Sequence, residues 1–104
     1  MEELENILSV PGVDGFIIGP YDLSASMGMP GDFKNNKFLE VIEKINLIGK
    51  KVGCPPGIHI VEPDEKQLQD AVETGYRFIA YSVDIRMLET GIANGINAFR
   101  EVLK

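Results

Sequence analysis

The chain has 104 residues, of which 44% are hydrophobic and 25% charged, a composition typical of one small globular domain. Its net charge of −6 disfavours nucleic acid and anionic membranes as partners. The sequence contains no apolar run near the roughly 20 residues of a membrane span, and its acidic start, Met1-Glu2-Glu3, does not resemble a signal peptide. A lone Cys54 rules out an internal disulfide framework. We therefore expect a cytoplasmic protein.

Helical and extended patterns alternate along the chain. Helices are predicted from apolar residues at steps of three and four, and strands from short apolar runs rich in β-forming residues. In chain order the predicted elements are the tail of a helix over residues 2–10, a strand over 13–19, a short helical turn over 22–27, a helix over 36–50, a strand over 57–61, a helix that opens with a capping box of Asp64 and Gln67, a strand over 76–83, and a last helix striped by Leu88, Ile92, Phe99 and Leu103.

This alternation predicts an α/β domain with a parallel sheet and right-handed crossovers. The apolar strands are typical of a sheet that is buried on both faces. Three such strands alone would leave two edges unpaired, which indicates that the sheet has further strands. We predict that residues 1–104 form one domain.

The segment after the first strand, Gly19-Pro20-Tyr21-Asp22, is the strongest candidate for a site. Ligands of parallel α/β proteins bind beyond the carboxyl ends of the strands. Gly19 lets the backbone pass close to a ligand, Pro20 stiffens the turn, and free N–H groups after the proline could hold a carboxylate. Asp22 could bind a hard cation. Alternatively, Asp22 caps the short helix that follows it.

The other two strand ends carry weaker candidates. His59 is the sole histidine, and a catalytic base or ligand is one interpretation of it. A packed histidine with a backbone partner is the more common case, and we favour it. Asp84 precedes a helix and is most simply its N-cap.

The stretch from Val10 to Gly28, VPGVDGFIIGPYDLSASMG, closely resembles the HpcH/HpaI aldolase family. The resemblance continues through residues 49–51, residues 57–59 and the strand that ends at 83–84, so it covers essentially the whole chain. It implies the C-terminal portion, about three βα units, of a TIM-type (β/α)₈ barrel of the phosphoenolpyruvate/pyruvate superfamily. A complete barrel typically needs roughly 250 residues. Residues 1–104 would then be a single partial barrel domain.

The resemblance also implies a reaction, the cleavage of a 4-hydroxy-2-oxo acid to pyruvate and an aldehyde with Mg²⁺, Mn²⁺ or Co²⁺ as cofactor. Asp22 would be one of two acidic metal ligands. The backbone N–H of Tyr21 would bind the pyruvate carboxylate within the turn that Gly19 and Pro20 shape. His59 would lie where the family contacts the aldehyde part of the substrate.

The family's catalytic histidine, its arginine, its second metal carboxylate and its glutamine have no counterpart in this chain. No catalytic residue is therefore assigned. The implied partners are the missing N-terminal half of the barrel and further copies of the chain, which would pack on the last helix. Three hypotheses stay open: a fragment or split piece of an aldolase that is inactive alone, a small α/β binding module, and a non-functional product of a truncated reading frame.

Overall fold

Helices and strands alternate in the computed structural model, which describes residues 2–104. The helices are α1 Leu4–Leu8, α2 Pro20–Ser26, α3 Asn36–Val52, α4 Glu65–Thr74 and α5 Asp84–Leu103, and the strands are β1 Phe16–Ile18, β2 Pro56–Ile60 and β3 Phe78–Tyr81. The strands form one parallel sheet in the order β1-β2-β3. The predicted α/β class and the order of elements are confirmed. β1 and β3 are shorter than predicted, because only part of each apolar run pairs with a neighbouring strand, whereas β2 has the predicted length and begins one residue earlier.

One face of the sheet packs against helices and holds the core. In the register of the sheet, Ile18 lies beside Ile58 and Ile60 beside Tyr81, so these side chains point to the same side. The buried cluster on that side consists of Ile18, Ile45, Ile60, Ala71 and Tyr76. Residues from α3 and α4 thus cover this face of the sheet.

The opposite face, which we call the concave face, is apolar but uncovered. Ile17 is 44% exposed and Phe78 is 55% exposed. Between them a Cβ on Gly57 would stand 2.7 Å from the ring of Phe78, so only glycine fits at that place in β2. The prediction that the sheet is buried on both faces is met on the helix-covered face only.

The side-chain cap that the sequence predicted for α4 is present, whereas the cap predicted for α5 is absent. The carboxylate of Asp64 accepts from the amides of Lys66 and Gln67 at the start of α4. Gln67 also donates its side-chain amide to this carboxylate, and these hydrogen bonds lower the pKa of Asp64. The prediction that Asp84 caps α5 is wrong. Val83 is the N-cap, and Asp84 is the first helical residue because its backbone has already turned.

The last helix, α5, is 20 residues long and has no buried residue. Its predicted apolar stripe is present but exposed, with Leu88 at 64%, Ile92 at 54% and Phe99 at 65% exposure. None of the helices within residues 2–104 combines the length and the apolar character that a membrane span requires.

Candidate functional site

The carboxyl ends of the three strands meet at one edge of the sheet, because the strands are parallel. The predicted site residues lie there: Gly19 to Asp22 after β1, and His59 near the end of β2. The structure adds Ser82, directly after β3. All of these belong to the edge at which parallel α/β proteins bind ligands.

Asp22 does not cap α2. The helix begins at Pro20, its N-cap is Gly19, and no side-chain hydrogen bond caps it. Asp22 is the third helical residue, and its Oδ2 atom lies 2.9 Å from the position of a Cβ on residue 19. Its carboxylate therefore folds back over the backbone at the end of β1, and it has no hydrogen-bond or ion-pair partner among residues 2–104. An unpaired carboxylate in this place can accept a cation.

The first turn of α2 also presents free backbone donors. Pro20 has no N–H, and the amide of Leu23 donates to the Gly19 carbonyl at 2.9 Å. Among residues 2–104, the amides of Tyr21 and Asp22 have no acceptor. Such unsatisfied donors at a helix start can bind a carboxylate.

Ser24 and Phe33, which the sequence analysis did not single out, hold α2 in place. Ser24 is fully buried, and its hydroxyl donates to the Tyr21 carbonyl at 3.0 Å and accepts from the Gly31 amide at 2.9 Å. The ring of Phe33 meets the ring of Tyr21 edge-on, with centroids 4.9 Å apart. These contacts join α2 to the loop over 27–35. No local sequence pattern predicts them.

His59 lies on the concave face, since its neighbours Ile58 and Ile60 pack into the core on the other side. The ring is half-buried, and its Nε2 atom lies 3.1 Å from the Ser82 carbonyl oxygen. The expectation of a packed histidine with a backbone partner is thus confirmed.

Ser82 has an unusual backbone. Its φ of 61° makes it the one non-glycine residue with positive φ in the described chain. This left-handed conformation costs a residue with a side chain about 1–2 kcal/mol. Ser82 is only 7% exposed, and its amide donates to the Ile60 carbonyl at 2.6 Å. The surrounding structure thus stabilises a backbone conformation of Ser82 that is unfavourable for an isolated serine residue.

An ion-pair network borders this edge of the sheet. Arg86 donates through Nε and Nη2 to the carboxylate of Glu62, with the shortest distance at 2.8 Å, and pairs with Glu89. The hydrogen bonds from Arg86 lower the pKa of Glu62, and the two glutamates raise the pKa of Arg86. The network links the end of β2 to the first turn of α5.

A cleft of about 420 Å³ runs along the open edge of β1 and is lined by Ile17, Gly19 and Asp22, among others. A larger one of about 490 Å³ lies where β2 and β3 begin and contains none of the predicted site residues. We take the first as the candidate site because it holds the unpaired carboxylate at the carboxyl ends of the strands.

The residues that the structure describes do not complete a metal site. Within residues 2–104, no three histidine, cysteine, aspartate or glutamate residues lie close enough together to hold an ion. Hard divalent cations in proteins take about six or more oxygen ligands, which carboxylates, carbonyl groups, waters and substrate oxygens supply together. Asp22 could supply one such ligand, and a complete site would need further ones.

Comparison with known proteins yields consistent matches. The model of the HpcH/HpaI aldolase/citrate lyase family matches residues 1–90. A hydroxypyruvate/pyruvate aldolase of Sagittula stellata is 39% identical over 90 residues, which are 86% of this chain and 35% of that protein. A 4-hydroxy-2-oxo-heptane-1,7-dioate aldolase of Shigella sonnei is 39% identical over 88 residues, or 85% of this chain and 33% of that protein.

A solved structure gives the same result. The crystal structure of a HpcH/HpaI aldolase/citrate lyase family protein from Burkholderia cenocepacia superposes with a TM-score of 0.86 at 31% identity, covering 95% of this chain and 38% of that one. The chain thus spans about a third of the length of the curated relatives that it matches.

Proposed function

The chain belongs to the HpcH/HpaI aldolase/citrate lyase family, and we propose that it supplies one metal-binding carboxylate and the pyruvate-binding turn of a metal-dependent aldolase. The reaction would cleave a 4-hydroxy-2-oxo acid to pyruvate and an aldehyde. The α/β fold with its parallel strands is that of part of a TIM-type barrel. The names of the relatives support the reaction class, and the site supports a role in it.

One observation carries this proposal: the carboxylate of Asp22 is folded over Gly19 beside the amides of Tyr21 and Asp22, and none of the three has a partner within residues 2–104. The carboxylate would hold the cation, and the amides of Tyr21 and Asp22 would orient the carboxylate of pyruvate. Bound Mg²⁺, Mn²⁺ or Co²⁺ would supply Lewis acidity to the keto group of the substrate. Ser24 would keep the turn in place through its bond to the Tyr21 carbonyl.

We further propose that the chain acts together with the remaining strands of the barrel and is inactive by itself. Metal polarisation, proton transfer and charge stabilisation act as a unit, so a partial set of groups gives little catalysis. The exposed concave face, with Ile17 and Phe78, is the surface that the remaining strands would cover.

The apolar stripe of α5 supports a second interface. Leu88, Ile92 and Phe99 are exposed on one face of a helix that buries no residue within the described chain. Contiguous apolar surface of this kind is typical of protein–protein contacts. We propose that α5 packs on another copy of the chain.

The test of the proposed reaction uses two preparations. The 104-residue chain alone is assayed with Mn²⁺ or Co²⁺ for pyruvate release from a 4-hydroxy-2-oxo acid, and then again with the N-terminal barrel part of a relative added. We expect no turnover by the chain alone and metal-dependent turnover by the mixture. Turnover by the chain alone would refute the proposed need for further residues.

The role of Asp22 is tested within the active mixture. Asp22→Asn removes the charge but keeps the shape of the side chain, so activity at ordinary metal concentration should be lost. The matched control is Asp14→Asn, which alters an exposed carboxylate in the loop before β1. Near-normal activity of Asp22→Asn would overturn the assignment of this residue as a metal ligand.

A further inference from the structure

The larger of the two clefts described above lies at the amino ends of β2 and β3, at the edge of the sheet opposite the candidate site. It has a volume of about 490 Å³, and Pro55, Pro56 and Phe78 give it an apolar wall. Phe78 also belongs to the concave face, where it is 55% exposed. The cleft is therefore continuous with the face that the remaining strands of the barrel would cover.

The charge of this cleft differs from that of the chain as a whole. Lys50 and Arg77 line the cleft, and none of its lining residues is an aspartate or a glutamate. The whole chain, in contrast, has 16 acidic residues against 10 basic ones. Within residues 2–104, neither Lys50 nor Arg77 forms a salt bridge, whereas the adjacent Lys51 pairs with Glu5. The cleft thus combines an apolar wall with two cations that lack a carboxylate partner in the described chain.

The guanidinium group of Arg77 is held in place by backbone carbonyls. Its Nη1 atom donates to the Val72 carbonyl at 2.9 Å and to the Tyr76 carbonyl at 2.8 Å. These bonds anchor the side chain at the end of α4, and they leave Nε and Nη2 without a partner among residues 2–104. Because the planar group is already fixed, it loses little conformational freedom when its remaining donors pair with a carboxylate.

A purely local explanation for the two cations is that they stabilise helix ends. α3 ends at Val52 and α4 at Thr74, and the carboxyl end of a helix favours positive charge. This effect accounts for the sign of the charge, but not for the free donors of Arg77 beside an apolar wall. It also predicts that the cations affect the stability of the chain and not its association with a partner.

We propose that this cleft receives a segment of the remaining barrel part in which an apolar side chain stands next to an aspartate or a glutamate. The apolar side chain packs against Pro56 and Phe78, and the carboxylate pairs with Arg77 and Lys50. The contact extends the interface of the concave face around the amino ends of the strands, and its charge selects which barrel part the chain accepts. This inference rests on the proposed function, in which the chain acts together with further strands.

The test compares two charge reversals on α3. Lys50→Glu places a carboxylate at the cleft, whereas Lys44→Glu changes the net charge equally at an exposed position outside it. Isothermal titration calorimetry measures the affinity of each variant for the N-terminal barrel part of a relative, and urea unfolding measures its stability. We expect Lys50→Glu to weaken association about 10-fold or more and Lys44→Glu to change it less than about 3-fold. Added salt should weaken the association of the unaltered chain more than that of Lys50→Glu.

Each other outcome would contradict the proposal in a different way. Equal affinities of the two variants would overturn it, and lower stability of Lys50→Glu with unchanged affinity would assign the cation to the helix end. Self-association of the chain that Lys50→Glu abolishes would give the cleft to a second copy, and this result would equally overturn the proposal. If the unaltered chain does not bind the barrel part at all, the proposed function itself fails, and the titration of the unaltered chain shows this before any variant is compared.

Discussion

The carboxylate of Asp22 occupies space that the missing side chain of Gly19 leaves open, with Oδ2 only 2.9 Å from the position of a Cβ. Gly19 has φ −95° and ψ 97°, a conformation that alanine also adopts. Glycine is therefore needed at position 19 because it leaves space for the Asp22 carboxylate, and not because the backbone conformation excludes other residues.

Gly19→Ala should leave folding nearly unchanged but displace the carboxylate of Asp22. We expect the free energy of unfolding to change by less than about 1 kcal/mol, because alanine fits the backbone and only a side-chain end must move. In the active mixture, the metal concentration for half-maximal activity should rise by about 10-fold or more, as when support of a metal ligand is lost. The control is Gly15→Ala, whose Cβ meets only one atom, at 3.9 Å. Equal metal dependence in both variants would contradict the role given to Gly19.

Ser24→Ala should destabilise the chain through the loop after α2. The substitution leaves the Gly31 amide without its partner in a part-buried place, which costs about 1–3 kcal/mol. Urea unfolding followed by circular dichroism measures the change. Ser26→Ala is the matched control, because the Ser26 hydroxyl also donates to a backbone carbonyl but lies exposed. A loss of the same size in both variants would argue against a special role of Ser24.

The chain should self-associate through α5. Sedimentation at increasing concentration is expected to show oligomers, and Ile92→Asp should shift them toward monomer by placing a charge within the apolar stripe. Asn94→Asp adds the same charge on the opposite side of the helix, and it should have little effect. A folded monomer over the whole concentration range would refute the interface.

The pair of Glu62 and Arg86 should contribute to stability in a pH-dependent way. The side-chain hydrogen bond from Arg86 lowers the pKa of Glu62 in the folded state from its ordinary value of 4.5. Its contribution is therefore present above that value and is lost as the pH falls through the lower, folded-state pKa. Unfolding of the unaltered chain and of Glu62→Gln should differ at pH 7 and converge in strong acid. A difference that does not depend on pH would show that the ion pair is not its source.

The sequence by itself determined the order of the elements and the place of the main site residue. Periodicity of three and four, caps such as Asp64, and short β-forming runs are local signals, and they predicted every helix and strand of the described chain within a few residues. Parallel strands put their carboxyl ends at one edge of the sheet, so the sequence also predicts that Gly19, Asp22 and His59 lie at strand ends where ligands bind.

Only the tertiary structure decided what these residues do there. Whether Asp22 caps α2 or stands free depended on where the helix begins, a matter of one or two residues that local signals do not resolve. The ring of His59 has its partner in the carbonyl of Ser82, a residue 23 positions away with a strained φ. Such contacts between distant parts of the chain leave no periodic trace in the sequence, because each depends on how the strands pair and not on the residues nearby.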